Sequence, residues 1–249
     1  MLKQERHHAI LEKLKANKKV ISTKLSQDLL VSEDTIRRDL KELESKNLVY
    51  KVHGGALIKE SRILSYDERS SADIDKKKKI AKKAVNLIHD GQAIIMSGSS
   101  TNLELAKIIP ADINATIYTY SLPIATQLSY HPLIEVIFLG GKLNKAAQVT
   151  VGIDLVTSIH NISADICFMG VDGINVNRGL TEQDWEVSRI KRSMIHASNH
   201  VVVMCISSKL TSVKRHTVVP IKDIDAIITD IDSDNSVFEE FNGINSVII

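Results

Sequence analysis

The sequence predicts a small N-terminal winged helix-turn-helix domain followed by a larger C-terminal α/β domain built on a parallel sheet. Three observations point there: an amphipathic helix signal at residues 32–46 between turn and hairpin signals, short apolar runs alternating with helical stretches beyond residue 76, and an uneven charge. Residues 1–59 hold 13 Lys/Arg against 8 Asp/Glu, a net +5, while the rest of the chain nets −3. A basic head on an acidic body suits a head that meets a polyanion.

The composition narrows the class. With 43% hydrophobic and 25% charged residues in 249, the chain reads as an ordinary globular protein. No apolar run approaches the ~18 residues that a bilayer span needs. The polar start MLKQERHHAI does not read as a signal peptide, so a cytoplasmic protein with no membrane partner is expected. Cys167 and Cys205 lie in the apolar runs ICFMG and VVVMC and read as buried thiols in a reducing compartment. No metal, cofactor or catalytic residue is expected.

In chain order, Ile10, Leu11 and Leu14 fall at helical spacing, and Asn17-Lys18-Lys19 breaks that helix. Ser22 is placed to cap a second helix carrying Leu25 and Leu29. Leu30-Val31-Ser32 reads as a tight turn, and Ser32 caps a third helix that runs to about Lys46. Glu33 and Asp34 complement the dipole of that helix, and Ile36, Leu40 and Leu43 form its buried stripe. Residues 48–52 and 56–58 read as strands around the turn His53-Gly54-Gly55, which completes a winged head over residues 1–58. The polar stretch 59–75 reads as a linker. Lys76–Lys79 then opens a helix, its lysines read as a solvated end that could also touch phosphates, and Asp90-Gly91 closes it. From there apolar runs at 93–96, 116–120, 135–141, 164–170, 200–205 and 225–230 alternate with helical stretches, the longest from about Asp184 to Ser198. That alternation implies βαβ units over residues 76–249.

The chemistry of the head follows from helix geometry. At 100° per residue, Arg37, Arg38 and Lys41 fall opposite the buried stripe. That face of such a helix enters the major groove of double-stranded DNA, where arginine pairs with guanine or grips phosphate. Ser32 and Thr35 at the helix start suit phosphate or base-edge contacts, with capping the first duty of Ser32. Lys51 and His53 sit on the wing, within reach of an adjacent groove; His53 suits a turn-packing role equally well. In the larger domain, Ser97-Gly98-Ser99-Ser100-Thr101 joins a strand to a helix and reads as an anion cradle or an ordinary capped turn. Gly140-Gly141 closes a second strand end and Asp172-Gly173 a third. Asp172 suits sugar hydroxyls or a turn, and Lys209 a phosphate or plain solvent.

The stretch VSEDTIRRDLKELESKNLVYKVHGGA resembles the signature of the DeoR family of bacterial transcriptional regulators, with V-S-x-x-T-I-R-R-D-L at Val31–Leu40 and the H-G-G-A wing at His53–Ala56. GGKLN, FMGVDGIN, GLT and SSK also stand where that family has landmarks, so the likeness covers essentially the whole chain. The resemblance implies an α/β fold shared with ribose-5-phosphate isomerase and glucosamine-6-phosphate deaminase, with a phosphorylated sugar at its strand ends. It also implies repression of a sugar-utilisation operon, relieved or altered by that sugar phosphate. The chain departs from the family at three strand ends: Ser97 stands for Asp, Tyr120 for Asn before Ser121, and Ile206 for Asp before Ser207-Ser208-Lys209. These changes predict an effector other than the usual linear sugar phosphate, or one held more weakly.

Two other readings compete. An isomerase would need a general acid and base. Asp172 remains, the positions of Ser97 and Ile206 lack a carboxylate, and Asp184 and Glu186 read as the acidic first turn of a helix. A regulator whose second domain only assembles copies would need no effector. DNA sites for such heads are usually two-fold symmetric, so a homo-oligomer, at least a dimer, is expected.

Overall fold

Four-residue spacing puts Ile10 and Leu14 on one face of a helix, and in the computed structural model that helix is α1 (Lys3–Asn17). The structure describes residues 2–45, 48–58, 66–241 and 247–248. The chain divides between residues 64 and 65 into two compact units. In the first, α1 is followed by β1 (Lys19–Ile21), α2 (Ser22–Leu29), α3 (Glu33–Ser45), β2 (Val49–Val52) and β3 (Gly55–Ile58). Ile10, Leu14, Leu25, Leu29, Ile36, Leu40, Leu43 and Val49 share one core.

Two details differ from the sequence reading. Lys19, read as the end of a helix break, opens a strand (Lys19–Ile21) that pairs antiparallel with β3, so the wing is a three-stranded sheet in the order β1-β3-β2. That pairing holds the chain extended through Ile21, so α2 starts on Ser22 itself and the Ser22 side chain caps nothing. Ser22 is buried, and its backbone N–H donates to Gly54 O at 2.8 Å, tying α2 to the hairpin turn. Gly55 makes the close pairing possible, since a Cβ there would stand 2.0 Å from Val20 O.

The second unit starts earlier than expected. Of the stretch read as a linker, residues 59–65 lie outside the described residues, but Tyr66–Ser71 is a helix, α4, anchored by the buried ring of Tyr66. Then come α5 (Ile74–Ala84), β4 (Ala93–Met96), α6 (Ser100–Ala106), β5 (Thr116–Thr119), α7 (Leu122–Leu128), β6 (Glu135–Phe138), β7 (Lys142–Asn144), β8 (Val149–Val151), α8 (Ile153–His160), β9 (Ala164–Gly170), β10 (Gly173–Asn175), β11 (Gly179–Glu182), α9 (Trp185–His196), β12 (Ser198–Met204), β13 (His216–Thr217), β14 (Ala226–Ile228) and β15 (Val247–Ile248).

The main sheet runs β15-β14-β12-β9-β4-β5-β6, and every pair in it is parallel. Alternation sorts its side chains onto two faces. Ile94, Met96, Ile166, Phe168, Val202 and Met204 pack with residues of α5, α6 and α7. Ile95, Cys167, Met169, Val201 and Val203 pack with residues of α8 and α9. The strands are apolar on both faces because both are covered, which is why they read as continuous apolar runs.

Strand order positions the site. From β4 the chain proceeds outward to β5 and β6, then returns to lay β9 on the other side of β4 and continues to β12 and β14. The order therefore reverses between β4 and β9, and the crevice beyond the carboxyl ends of such a strand pair is where open α/β sheets bind ligands.

Candidate functional site

On α3 the stripe is buried and the opposite face is open: Arg37, Arg38 and Lys41 are exposed. The Ser32 hydroxyl accepts from the Thr35 N–H at 3.2 Å and lies 2.9 Å from the Thr35 hydroxyl, so the expected cap is present. Arg37 is partly neutralised by its own helix, with Asp34 at 3.3 Å and Glu33 at 3.7 Å. Arg38 and Lys41 have no carboxylate partner among the described residues. Lys51 and His53 are exposed on the wing and, with Arg37 and Thr23, line a groove between α3 and the hairpin.

Behind that open face lies a network that sequence reasoning missed. Asp39 is 2% exposed and accepts from Arg6 Nε at 2.5 Å and Arg6 Nη2 at 3.1 Å, with His7 Nε2 also 3.1 Å away. Burial disfavours its charge, but the hydrogen bonds from Arg6 and His7 outweigh that and hold the Asp39 carboxyl below its usual range. The signal was one residue in the R-R-D-L run that breaks the polar-out pattern of α3.

At the switch point the expected cradle is only partly open. Ser97 is fully buried, and its hydroxyl accepts from Gly170 N–H at 2.9 Å and Asn102 Nδ2 at 3.1 Å. The Asn102 amide also donates to Ser97 O and Phe168 O, at 2.7 and 2.8 Å. Ser97 therefore locks the end of β4 to the end of β9, with its hydroxyl turned inward to Gly170 and Asn102 where the sequence had suggested an open cradle. Tyr120 is likewise wholly inside the core, where burial pushes its phenol above the ordinary value. Ser121 is also buried, and the Tyr120 and Ser121 hydroxyls both lack a hydrogen-bond partner among the described residues.

The rest of the loop stays at the crevice. Ser99 caps α6 by accepting from Asn102 N–H at 3.0 Å, and its side chain lies against Gly170, where a Cβ would come within 2.3 Å of the Ser99 Cβ. Gly98 and Ser100 are half-buried and Thr101 is buried. Lys209 donates to Val171 O at 2.6 Å, just past β9, and stands 3.9 Å from Asp172. Gly140 and Gly141 follow β6, at the opposite edge of the sheet from β12 and β14. Asp184 caps α9 through Val187 N–H at 3.0 Å, as its place in an acidic first turn suggests.

A charged cluster extends behind Asp172. Glu182 and Lys191 form a buried ion pair. Burial pushes the Glu182 carboxyl up to about 7 against the pull of Lys191, with the negative charge of Asp172 adding to the rise. Burial opposes the charge of Asp172 too, yet Lys191 and Lys209 prevail and hold it down at about 2. Burial lowers Lys209 below the ordinary lysine value. Two further cations complete the group. Lys77, read from sequence as solvated, is 5% exposed and donates to the carbonyls of Arg69 and Ala72. Arg69 stacks over the Tyr66 ring at 5.7 Å, and its carbonyl accepts from Ser100 Oγ at 3.3 Å.

Residues 72–231 match the family described as the DeoR C terminal sensor domain, and residues 6–62 the DeoR-like helix-turn-helix domain. A transcriptional regulator named GolR from Listeria innocua is 33% identical over 239 residues, 95% of this chain and 94% of that one. A transcriptional repressor named GlcR from Bacillus subtilis is 34% identical, over 92% of this chain and 89% of its own length. A glycerol-3-phosphate regulon repressor from Escherichia coli is 29% identical over 92% of each chain. Among solved structures, a ribose 5-phosphate isomerase A from Methanocaldococcus jannaschii aligns over 56% of this chain and 55% of that one, at 18% identity and a TM-score of 0.42.

Proposed function

The chain belongs to the DeoR family of transcriptional regulators, and from that premise we propose that it represses a sugar-utilisation operon and responds to a phosphorylated metabolite. The observation that carries DNA reading is the exposed face of α3, where Arg38 and Lys41 are free of carboxylates while the opposite face is buried. Arg38 and Lys41 make the principal contacts, Ser32 and Thr35 touch the backbone at the helix start, Arg37 adds a partly neutralised charge, and Lys51 and His53 act from the wing. The protein works by binding rather than catalysis, as at least a dimer on a two-fold site. No helix among the described residues is long and apolar enough to cross a membrane.

The effector lies at the β4/β9 switch point, against Gly98–Thr101, Ser121, Asp172 and Lys209, with Gly140 and Gly141 on its margin. The relative named for a glycerol-3-phosphate regulon supports a phosphorylated ligand. With Ser97, Tyr120 and Ser121 closed inside and Ile206 buried, hydroxyl recognition falls chiefly to Asp172. Such a site favours a ligand with fewer hydroxyls than a linear hexose phosphate offers.

The test is binding of the purified protein to its own upstream DNA at several salt concentrations, with and without a panel of sugar and triose phosphates. Specific binding weakened by one panel member is expected. Specific binding that ignores the whole panel would remove the effector and leave a second domain that only assembles copies; no specific binding to any genomic fragment would remove the DNA reading.

A further inference from the structure

Surface charge on the α/β body is sorted rather than mixed. On α9, Trp185, Arg189 and Arg192 follow at i, i+4 and i+7, so they share the face opposite the buried Ile190 and Met194. All three are exposed, and Trp185, the single tryptophan of the chain, leaves 58% of its surface in solvent. The small sheet beside α9 extends this face. Trp185 meets His216 of β13 edge-on at 5.4 Å, and Arg178 donates to the Thr217 hydroxyl at 3.3 Å. Arg192 donates to Val218 O at 2.8 Å and to Thr217 O at 3.0 Å. These contacts orient two arginines without neutralising them. Arg178, Arg189 and Arg192 form no ion pair with a carboxylate among the described residues, Glu186 of the same helix included. An exposed tryptophan set among arginines is the composition of an interface anchor, since Trp and Arg are enriched where binding energy concentrates.

The opposite charge stands elsewhere on the same body. From Asp223 to Glu240 there are seven Asp/Glu and no Lys or Arg. Phe238 and Phe241 are buried and pin the end of this segment, which leaves Asp234, Glu239 and Glu240 exposed. Only loose cation neighbours occur along it, Lys79 at 3.7 Å from Asp232 and His200 at 3.9 Å from Asp225. Asp223, Asp234, Glu239 and Glu240 form no ion pair among the described residues, so nothing within one copy joins the basic face to the acidic segment.

We propose that the Trp185–Arg189–Arg192 face docks onto the Asp223–Glu240 segment of a second copy of this chain. This rests on the reading of the regulator as at least a dimer and names the surfaces that join the copies. Across a two-fold axis the contact occurs twice, each copy giving its basic face and receiving on its acidic segment. Trp185 supplies the apolar centre, and the arginine forks suit carboxylates. Like faces of two copies repel, which sets the register of the pair. A phosphate backbone would occupy the arginines but leave the indole without a partner, so the face fits a protein surface better than DNA.

The experiment follows the mass of the full chain by sedimentation and the emission of Trp185, over a dilution series at ~0.05 and ~0.5 M salt. Because no other tryptophan is present, a red shift of the emission reports the opening of this face. Mass and emission are expected to change together on dilution, and at higher protein concentration in the stronger salt. Arg189→Glu, Trp185→Ala (read by mass alone) and the double variant Asp234→Lys/Glu239→Lys should each raise the dissociation constant about tenfold or more, with the melting temperature of the monomer unchanged. An equimolar mixture of Arg189→Glu with Asp234→Lys/Glu239→Lys should regain the mass that neither reaches alone, since the mixed pair holds one wild-type contact and one with both charges reversed. A wild-type chain that stays monomeric throughout removes the dimer and this face together. A dimer untouched by Arg189→Glu and Trp185→Ala stands while the face falls. A mixture that stays dissociated, or an acidic-segment variant that associates as wild type does, removes the Asp223–Glu240 segment as the partner and overturns the proposal. So does an Arg189→Glu chain of unchanged mass whose operator binding loses salt dependence, which would give the face to DNA.

Discussion

Arg37 and Arg38 are adjacent and chemically identical, yet only one brings a full charge to the open face of α3. Arg37 is engaged by Asp34 and Glu33, and Arg38 by no carboxylate among the described residues. Arg38→Ala should therefore weaken operator binding by ~1–3 kcal/mol and relax specificity at one base pair while the head stays folded, measured by titration of operator variants. Lys41→Ala should lower affinity evenly across sequences and reduce the salt slope by about 1. Glu182 carries a different consequence. Its folded pKa of about 7 lies above the ordinary 4.5, so the folded state prefers the protonated form. The stability this gives is complete below about 4.5 and is lost as pH rises toward 7. Asp172 works in the other direction, contributing stability above 3.8 that is lost as pH falls toward about 2. The two windows do not overlap. Between pH 5 and 7, melting of the second unit should lose stability with rising pH, and Glu182→Gln should flatten that slope (roughly the span between the two Glu182 values). An unchanged slope in the variant would remove Glu182 as its source.

At the scale of elements, α3 was legible because its burial obeys a simple period and its start and stop are written in local chemistry. Leu40→Ala should cost the head ~2–5 kcal/mol, read from a melting curve, since Leu40 is 1% exposed in the shared core. The hold of α1 on α3 was not legible. Arg6 and Asp39 are 33 residues apart, and a carboxylate inside an otherwise solvated run looks like one more surface charge. Asp39→Asn should cost about 2 kcal/mol and soften the angle at which the reading face is presented. Because the Asp39 pKa is lowered, its contribution is present at neutral pH and fades as acid protonates it, so wild type and variant should converge in stability at low pH. β1 escaped notice for a related reason: it has three residues, and its partner β3 lies more than thirty residues on. α4 escaped because its apolar content is one tyrosine, and Lys77 because a run of four lysines looks like a solvated end when only one of them turns inward. Ser97 misled in the opposite sense: a strand-end hydroxyl suits a ligand, and Asn102, one turn into the next helix, claims it first.

At the scale of the whole molecule, the division into a basic head and an acidic α/β body was readable from charge and periodicity alone, because both are sums over many residues. The crevice proposed for the effector was readable only in part. Strand order marks it, through the reversal between β4 and β9, and no local pattern records which strand a returning chain will pair with. That same pairing sets Cys167, within β9, and Cys205, just past the end of β12, in the centre of the sheet, both essentially unexposed and with thiols pushed up to about 12 by burial. A thiol in that state is inert toward alkylation, since the thiolate is the reactive form and neither reagent nor water reaches it. Alkylation of the native chain must wait for β9 and β12 to part, so its rate is a stopwatch for the opening of the sheet. Iodoacetamide labelling followed by mass spectrometry would read that stopwatch without any engineered probe, and a compound that settles between β4 and β9 would slow it.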